Sequence, residues 1–162
     1  MFVIGAGVTL GALWPEGNAP PIAPPVQTQP SKSPAKTPNT DPLDVVLERR
    51  QNGHFYANVN VNGHMIEFLV DTGATAIALT ADDARKLGFH WTDAELGIIG
   101  HGVSGPVSGK MVELHHLKLG GREAWDMDAA IIPQGLSVSL LGQNFLRQIG
   151  SLKISGDQMV LR

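Results

Sequence analysis

The chain has 162 residues, with 12 Lys and Arg against 15 Asp and Glu, 43% hydrophobic residues, 19 Gly, 11 Pro and no Cys. That length allows one ordinary domain and an appendage. A formal charge of −3 without any basic cluster argues against a nucleic-acid partner, and the missing Cys excludes disulfides, thiolate metal sites and a cysteine nucleophile.

The prolines divide the chain. Nine of the eleven fall between Pro15 and Pro42, among Ala, Thr, Ser, Gln and Asn, a composition too poor in apolar side chains to offset the cost of ordering. Residues 15–42 therefore read as an extended tether. Ahead of them, residues 1–14 (MFVIGAGVTLGALW) carry no charge. As a helix they would reach about 21 Å against a hydrocarbon core of about 30 Å. They read as a truncated membrane anchor with Trp14 as its interfacial aromatic; a signal peptide, for which the basic start is lacking, and a plain apolar tail are the alternatives. Apolar segment, Pro-rich tether and then a domain is the order of a domain held off a bilayer, with residues 43–162 as the folding unit.

Short β signals fill that unit. Phe55, Ala57, Val59 and Val61 alternate with His54, Tyr56, Asn58 and Asn60, the period-2 pattern of a half-buried strand. Asn62-Gly63 supplies the positive φ values of a tight hairpin. The returning run Met65–Val70 is apolar on nearly both faces, predicting a central strand that delivers Asp71 at its end. Ile77-Ala78-Leu79 leads to Thr80, which with Asp83 predicts a capping box at the start of a short helix closed by Gly88.

In the second half Val112 and Leu114 share one parity while Leu117 and Leu119 share the other, so a strand here must kink or bulge near His115-His116. Gly120-Gly121 turns the chain into Trp125, Met127, Ala129 and Ile131, which alternate with Asp126 and Asp128. Phe145, Leu146 and Ile149 share a helical face, and a last hairpin turns at Gly156-Asp157. The sum is a mainly β domain with two short helices.

The chemistry is concentrated in Leu69-Val70-Asp71-Thr72-Gly73-Ala74. A carboxylate that directly follows an apolar strand, in a turn needing Gly, is costly to bury unless donors hold it. An isolated Asp-Thr-Gly reads most simply as a turn; here Leu140-Leu141-Gly142 lies about 70 residues later, just before a helix. The pairing of LVDTGA with LLGQNFLRQIG resembles the retropepsin-like aspartic proteases, and most of all their bacterial membrane-anchored, single-domain members. The resemblance spans roughly Val45 to Arg162. It implies a closed, barrel-like β protomer that works as a homodimer on a polypeptide substrate. It further implies Asp71 as the catalytic carboxylate and Thr72, Gly73 and Ala74 as its loop, with Leu140, Leu141 and Gly142 crossing behind that loop. Gly102, Val103, Ser104 and Gly105 fall where the family has its flap, and there Pro106 and His101 depart from the retroviral pattern. The implied location is a bacterial membrane, with the domain on the periplasmic side.

One such motif in about 120 residues is too little for two pepsin-like lobes, so the second carboxylate must come from another copy. No metal or other cofactor is expected. His54, His64, His90, His101, His115 and His116 are scattered, and neighbours such as His115 and His116 should point to opposite strand faces. Asp126 and Asp128 share a face that reads as solvated. A catalytically silent dimerisation or peptide-binding module on the same fold is the main rival, and a hydrolase using Asp126 and Asp128 with a metal is a remote one.

Overall fold

Phe55, Ala57, Val59 and Val61 are all buried, as their alternation requires, and they form the inward face of the strand around which the rest is organised. The computed structural model describes residues 43–102 and 105–162; the expected anchor and tether, and Val103 and Ser104, lie outside the described residues. Ten strands are described: β1 (Val45–Glu48), β2 (Tyr56–Val61), β3 (His64–Val70), β4 (Ile77–Leu79), β5 (Gly97–Gly102), β6 (Gly105–Leu119), β7 (Arg122–Ile131), β8 (Ser139–Leu141), β9 (Leu152–Ser155) and β10 (Gln158–Leu161). Two helices, α1 (Ala81–Lys86) and α2 (Gln143–Gln148), interrupt them.

Six strands close a barrel in the order β2-β3-β8-β4-β7-β6, and β6 returns to β2 through Asn60↔Lys118 and Val61↔Leu117. Closure leaves the six barrel strands no free edge among the described residues. A separate antiparallel sheet, β1-β10-β9, gathers the two ends of the described unit. There the nearly buried Asp44 carboxylate lies 3.2 Å from Arg162 and 3.9 Å from Arg122.

Local signals explain most turns. Asn62 and Gly63 adopt φ values of 49° and 91°, so the Asn-Gly pair makes the β2–β3 hairpin as its composition demands. β3 is central, between β2 and β8, as expected, but only one of its faces is buried. Met65 is 60% exposed, Glu67 is exposed and Leu69 only half-buried, because a barrel strand has just one face toward the core, here Ile66, Phe68 and Val70.

The capping box at α1 is only half formed. Thr80 Oγ1 accepts from the Asp83 N–H at 3.2 Å, but the Thr80 N–H donates to Ser139 Oγ at 3.1 Å instead of to Asp83. Ser139, a fully buried polar side chain, donates its hydroxyl to Asp83 Oδ2 at 2.6 Å. Burial alone would raise the Asp83 carboxyl; bonds from Ser139, Lys86 and Thr80 outweigh it and hold the group below its ordinary value. The reciprocal box stands elsewhere, between Thr92 and Glu95 around a single 3₁₀ turn at Asp93–Glu95.

The parity change in β6 is real but contains no bulge. Leu114, Leu117 and Leu119 are buried on β6, and Ala124, Met127 and Ala129 on β7, so both strands switch face together. Register is therefore kept from Lys110↔Ile131 to Leu119↔Arg122, and Asp126 absorbs the twist at φ 50°. Trp125 consequently misses the core. It is 62% exposed and stacks on the His116 ring at 4.0 Å.

Candidate active site

Asp71 leaves β3 at the point where β8 runs parallel beside it, with Leu69↔Leu140 and Val70↔Leu141 in register. The Asp71 N–H continues the ladder by donating to the Leu141 carbonyl at 3.1 Å. Beyond that bond the chain turns sharply. Asp71 Oδ1 accepts the Gly73 N–H at 2.8 Å, and the Ala74 N–H closes the turn onto the Asp71 carbonyl at 3.2 Å. Gly73 fits this approach because a Cβ there would stand 3.2 Å from Asp71 Oδ1.

The loop is fastened from behind by the start of α2. Gln143 and Asn144 donate their backbone N–H groups to the carbonyls of Ala74 and Thr75 at 2.8 and 3.1 Å. The Gln143 side chain reaches the Thr72 carbonyl at 2.8 Å, and Asn144 Oδ1 accepts from the Ile77 N–H at 3.1 Å. Gly142 makes this possible: a Cβ there would meet the Ala76 carbonyl oxygen at 2.3 Å. Leu140 and Leu141 thus run beside Leu69, Val70 and Asp71, and Gly142 lies against the Ala76 backbone. Asn144, which sequence reasoning did not single out, ties the loop to both β4 and β7, since its Nδ2 also donates to the Asp128 carbonyl at 2.7 Å.

Within one chain the Asp71 side chain is half-buried, not buried, and Thr72 and Gly73 are exposed. Among the described residues no cation and no second carboxylate is paired with Asp71.

Beside this turn lies a cavity of about 730 Å³ lined by Leu96, Pro106, Val107, Ile132, Leu136 and Leu140, with Asp93, Ser108 and Gln134 among its polar members. Asp71 is not among its lining residues; Leu140, in register with Leu69, links cavity and turn. The roof is the β5–β6 hairpin, whose last described pair is Gly102↔Gly105. Those two flap candidates frame the tip, and Val103 and Ser104 lie outside the described residues. The Gly and Ile content of β5 offers no alternation, so the sequence does not announce this strand.

A clamp holds the β5–β6 hairpin at its base. Lys110, on β6 where the hairpin joins the barrel, pairs with Glu95, whose other oxygen accepts from the Thr92 N–H at 2.8 Å and hydroxyl at 3.1 Å. The Lys110 bond, aided by Thr92, draws the Glu95 carboxyl down to about 2 from an ordinary 4.5. A carboxyl lowered by folding stabilises the fold fully above its unfolded value, and that contribution fades as pH falls through the folded one. The melting temperature should therefore fall between pH 4.5 and 2 partly through this clamp. Glu95→Gln should melt lower at pH 7 and lose less on acidification, and parallel melting curves for the two proteins would disprove the linkage.

The family described as "gag-polyprotein putative aspartyl protease" matches residues 57–148. A crystal structure of a retropepsin-like aspartic protease from Rickettsia conorii superposes with a TM-score of 0.60 at 32% identity, covering 73% of this chain and 88% of that one. An uncharacterized protein of Rickettsia prowazekii is 33% identical over 128 residues, 76% of this chain and 53% of its own length. Another, from the cobV 5′ region of a Sinorhizobium species, is 34% identical over 120 residues, 74% of this chain and 52% of its own length. The chain thus spans about half the length of the curated relatives it matches.

Proposed function

The chain belongs to the retropepsin-like aspartic protease family, and from that premise we propose that it is an aspartic endopeptidase whose active unit is a homodimer. The observation that carries the reading is the strapped Asp71 turn. It holds one half-buried carboxylate with the Gly73 N–H already bonded to it, and leaves it without a second carboxylate or a cation among the described residues. Two such turns facing each other across a two-fold axis would make the site whole.

In that arrangement two Asp71 carboxyls share one proton, since like charges in contact cannot both ionise at little cost. The ionised one takes a proton from a water between them while the water oxygen attacks the peptide carbonyl carbon. The protonated one gives its proton to the carbonyl oxygen, forming a tetrahedral diol. The newly protonated carboxyl then gives its proton to the amide nitrogen while the ionised one takes a proton from a diol hydroxyl; the C–N bond breaks, leaving a carboxylic acid and an amine and one proton again on the pair. The Gly73 N–H orients its carboxylate throughout, and the β5–β6 hairpin is placed to cover the substrate. The apolar segment 1–14 and the Pro-rich stretch 15–42 support a tethered enzyme, held at a bacterial membrane with its domain on the periplasmic side.

The test is assembly. Specific activity should fall on dilution through the dimer dissociation constant, and excess chains carrying Asp71→Asn should inhibit the native protein dominantly. Concentration-independent activity from a chain that sediments as a monomer would refute the shared site.

A further inference from the structure

On the outer wall of the barrel the paired parity switch in β6 and β7 has a chemical result. Adjacent strand residues ordinarily face opposite sides, which is why His115 and His116 should not both leave the core. Here Leu114 and Leu117 are both buried, so the two residues between them turn outward together. His116 stacks on Trp125 and approaches Glu123, its Nε2 lying 3.4 Å from Oε2. His115 is directed instead between two carboxylates, one from its own strand and one from β7. Its Nδ1 lies 3.5 Å from Glu113 Oε1 and 3.4 Å from Asp126 Oδ1, and the three atoms all fall within 4.8 Å of one another.

We propose that Glu113, His115 and Asp126 form a binding site for a divalent transition ion of the zinc class, with a fourth position left to solvent. The spacing is the argument. Zinc takes His nitrogen and carboxylate oxygen at about 2.0–2.2 Å, and at a tetrahedral angle two such ligands stand about 3.4 Å apart. Both nitrogen-to-oxygen separations match that figure without movement. The donor set, one imidazole and two carboxylates, suits zinc better than magnesium or calcium, which take oxygen ligands alone. All three side chains are more than half exposed, so the ion can enter directly, and water can complete the coordination. Glu113 and His115 lie two apart on β6, and Asp126 stands opposite on β7, so the ion would pin the two strands where the twist changes. This site is independent of Asp71 and of the proteolytic reading.

The competing account is an exposed contact of His115 with two carboxylates and no ion, of little worth. Calorimetric titration of zinc chloride into the untagged full chain at pH 7.5, with magnesium chloride as the comparison, separates the two. One zinc ion should bind per chain and raise the melting temperature, with magnesium doing neither. His115→Gln should weaken zinc by more than the about 10–100-fold already lost when only a ligand's supporting partner is removed. Asp126→Asn should weaken it too, and Asn tolerates the positive φ at that position, so the backbone is kept. His54→Gln, just before β2 and at the end opposite the Asn62 turn that bonds to His116, should bind as the native chain does. Metal-free melting curves verify that each variant is folded. Equal zinc affinity in His115→Gln and the native protein, or no zinc binding beyond that of magnesium, would overturn the site.

Discussion

Asp71→Asn is expected to lower peptide hydrolysis by about 10²–10⁴-fold or more while leaving the fold in place, because the change removes the acid–base group and almost nothing else. The side chain makes a single described hydrogen bond, from the Gly73 N–H to Oδ1, and an Asn carbonyl oxygen can accept that bond equally well. Its half-exposed position means that no buried charge is uncovered by the exchange. The measurement is initial rate on a mixed peptide library for both proteins, with circular dichroism and melting as the fold control. Residual cleavage above about one per cent of the native rate would remove Asp71 from the chemistry. Loss of cleavage by Asp71→Asn also separates an enzyme from a silent peptide-binding module, for which the native chain itself would leave the library intact.

Gly142→Ala should have the largest structural effect of any single methyl added to the domain near the site. The φ of −89° and ψ of −178° at Gly142 suit any residue, so backbone strain is not the issue. The obstacle is space. A Cβ would stand 2.3, 2.5 and 2.9 Å from the oxygen, carbon and nitrogen of Ala76, which are backbone atoms and cannot rotate aside. Moving the Ala76 backbone pulls on the bonds from Gln143 to Ala74 and from Asn144 to Thr75, the ones that fix the Asp71 turn. Overpacking of this kind costs about 1–3 kcal/mol, and here the upper end is expected because the displaced atoms are backbone. Denaturant unfolding should register that loss together with a matching fall in activity. Gly97→Ala is the control, since nothing lies within 4 Å of its Cβ position and its stability should not change beyond the small cost of the substitution itself. Equal stability in the two variants would show that the turn is not packed as described.

Signals that act over a few residues were legible in the chain. The alternation through Phe55–Val61, the Asn-Gly turn, the Thr80 start of α1 and the Phe145, Leu146 and Ile149 stripe of α2 each follow from local sterics and periodicity. The site was legible for a related reason: Asp71-Thr72-Gly73 and Leu140-Leu141-Gly142 are compact motifs, and only their meeting needed the fold. Trp125 shows the limit. Its alternation with Asp126 points inward, yet a change of twist shared with β6 turns it out, and nothing within β7 alone announces that change.

By itself, the sequence determined the mainly β class, the hairpin before the Asp71 turn, the two short helices and the pair of motifs that build that turn. The tertiary structure alone decided that β6 returns to β2 and closes the barrel, that Lys110 reaches Glu95 at the base of the β5–β6 hairpin, and that Glu113 and His115 meet Asp126 on the outer wall. The division follows the range of the forces. Torsional preference, capping and side-chain period bind neighbours within a turn or two and leave their mark on consecutive residues. Contacts such as Asn60 with Lys118 depend on the path of all the chain between them, which only the packed core fixes.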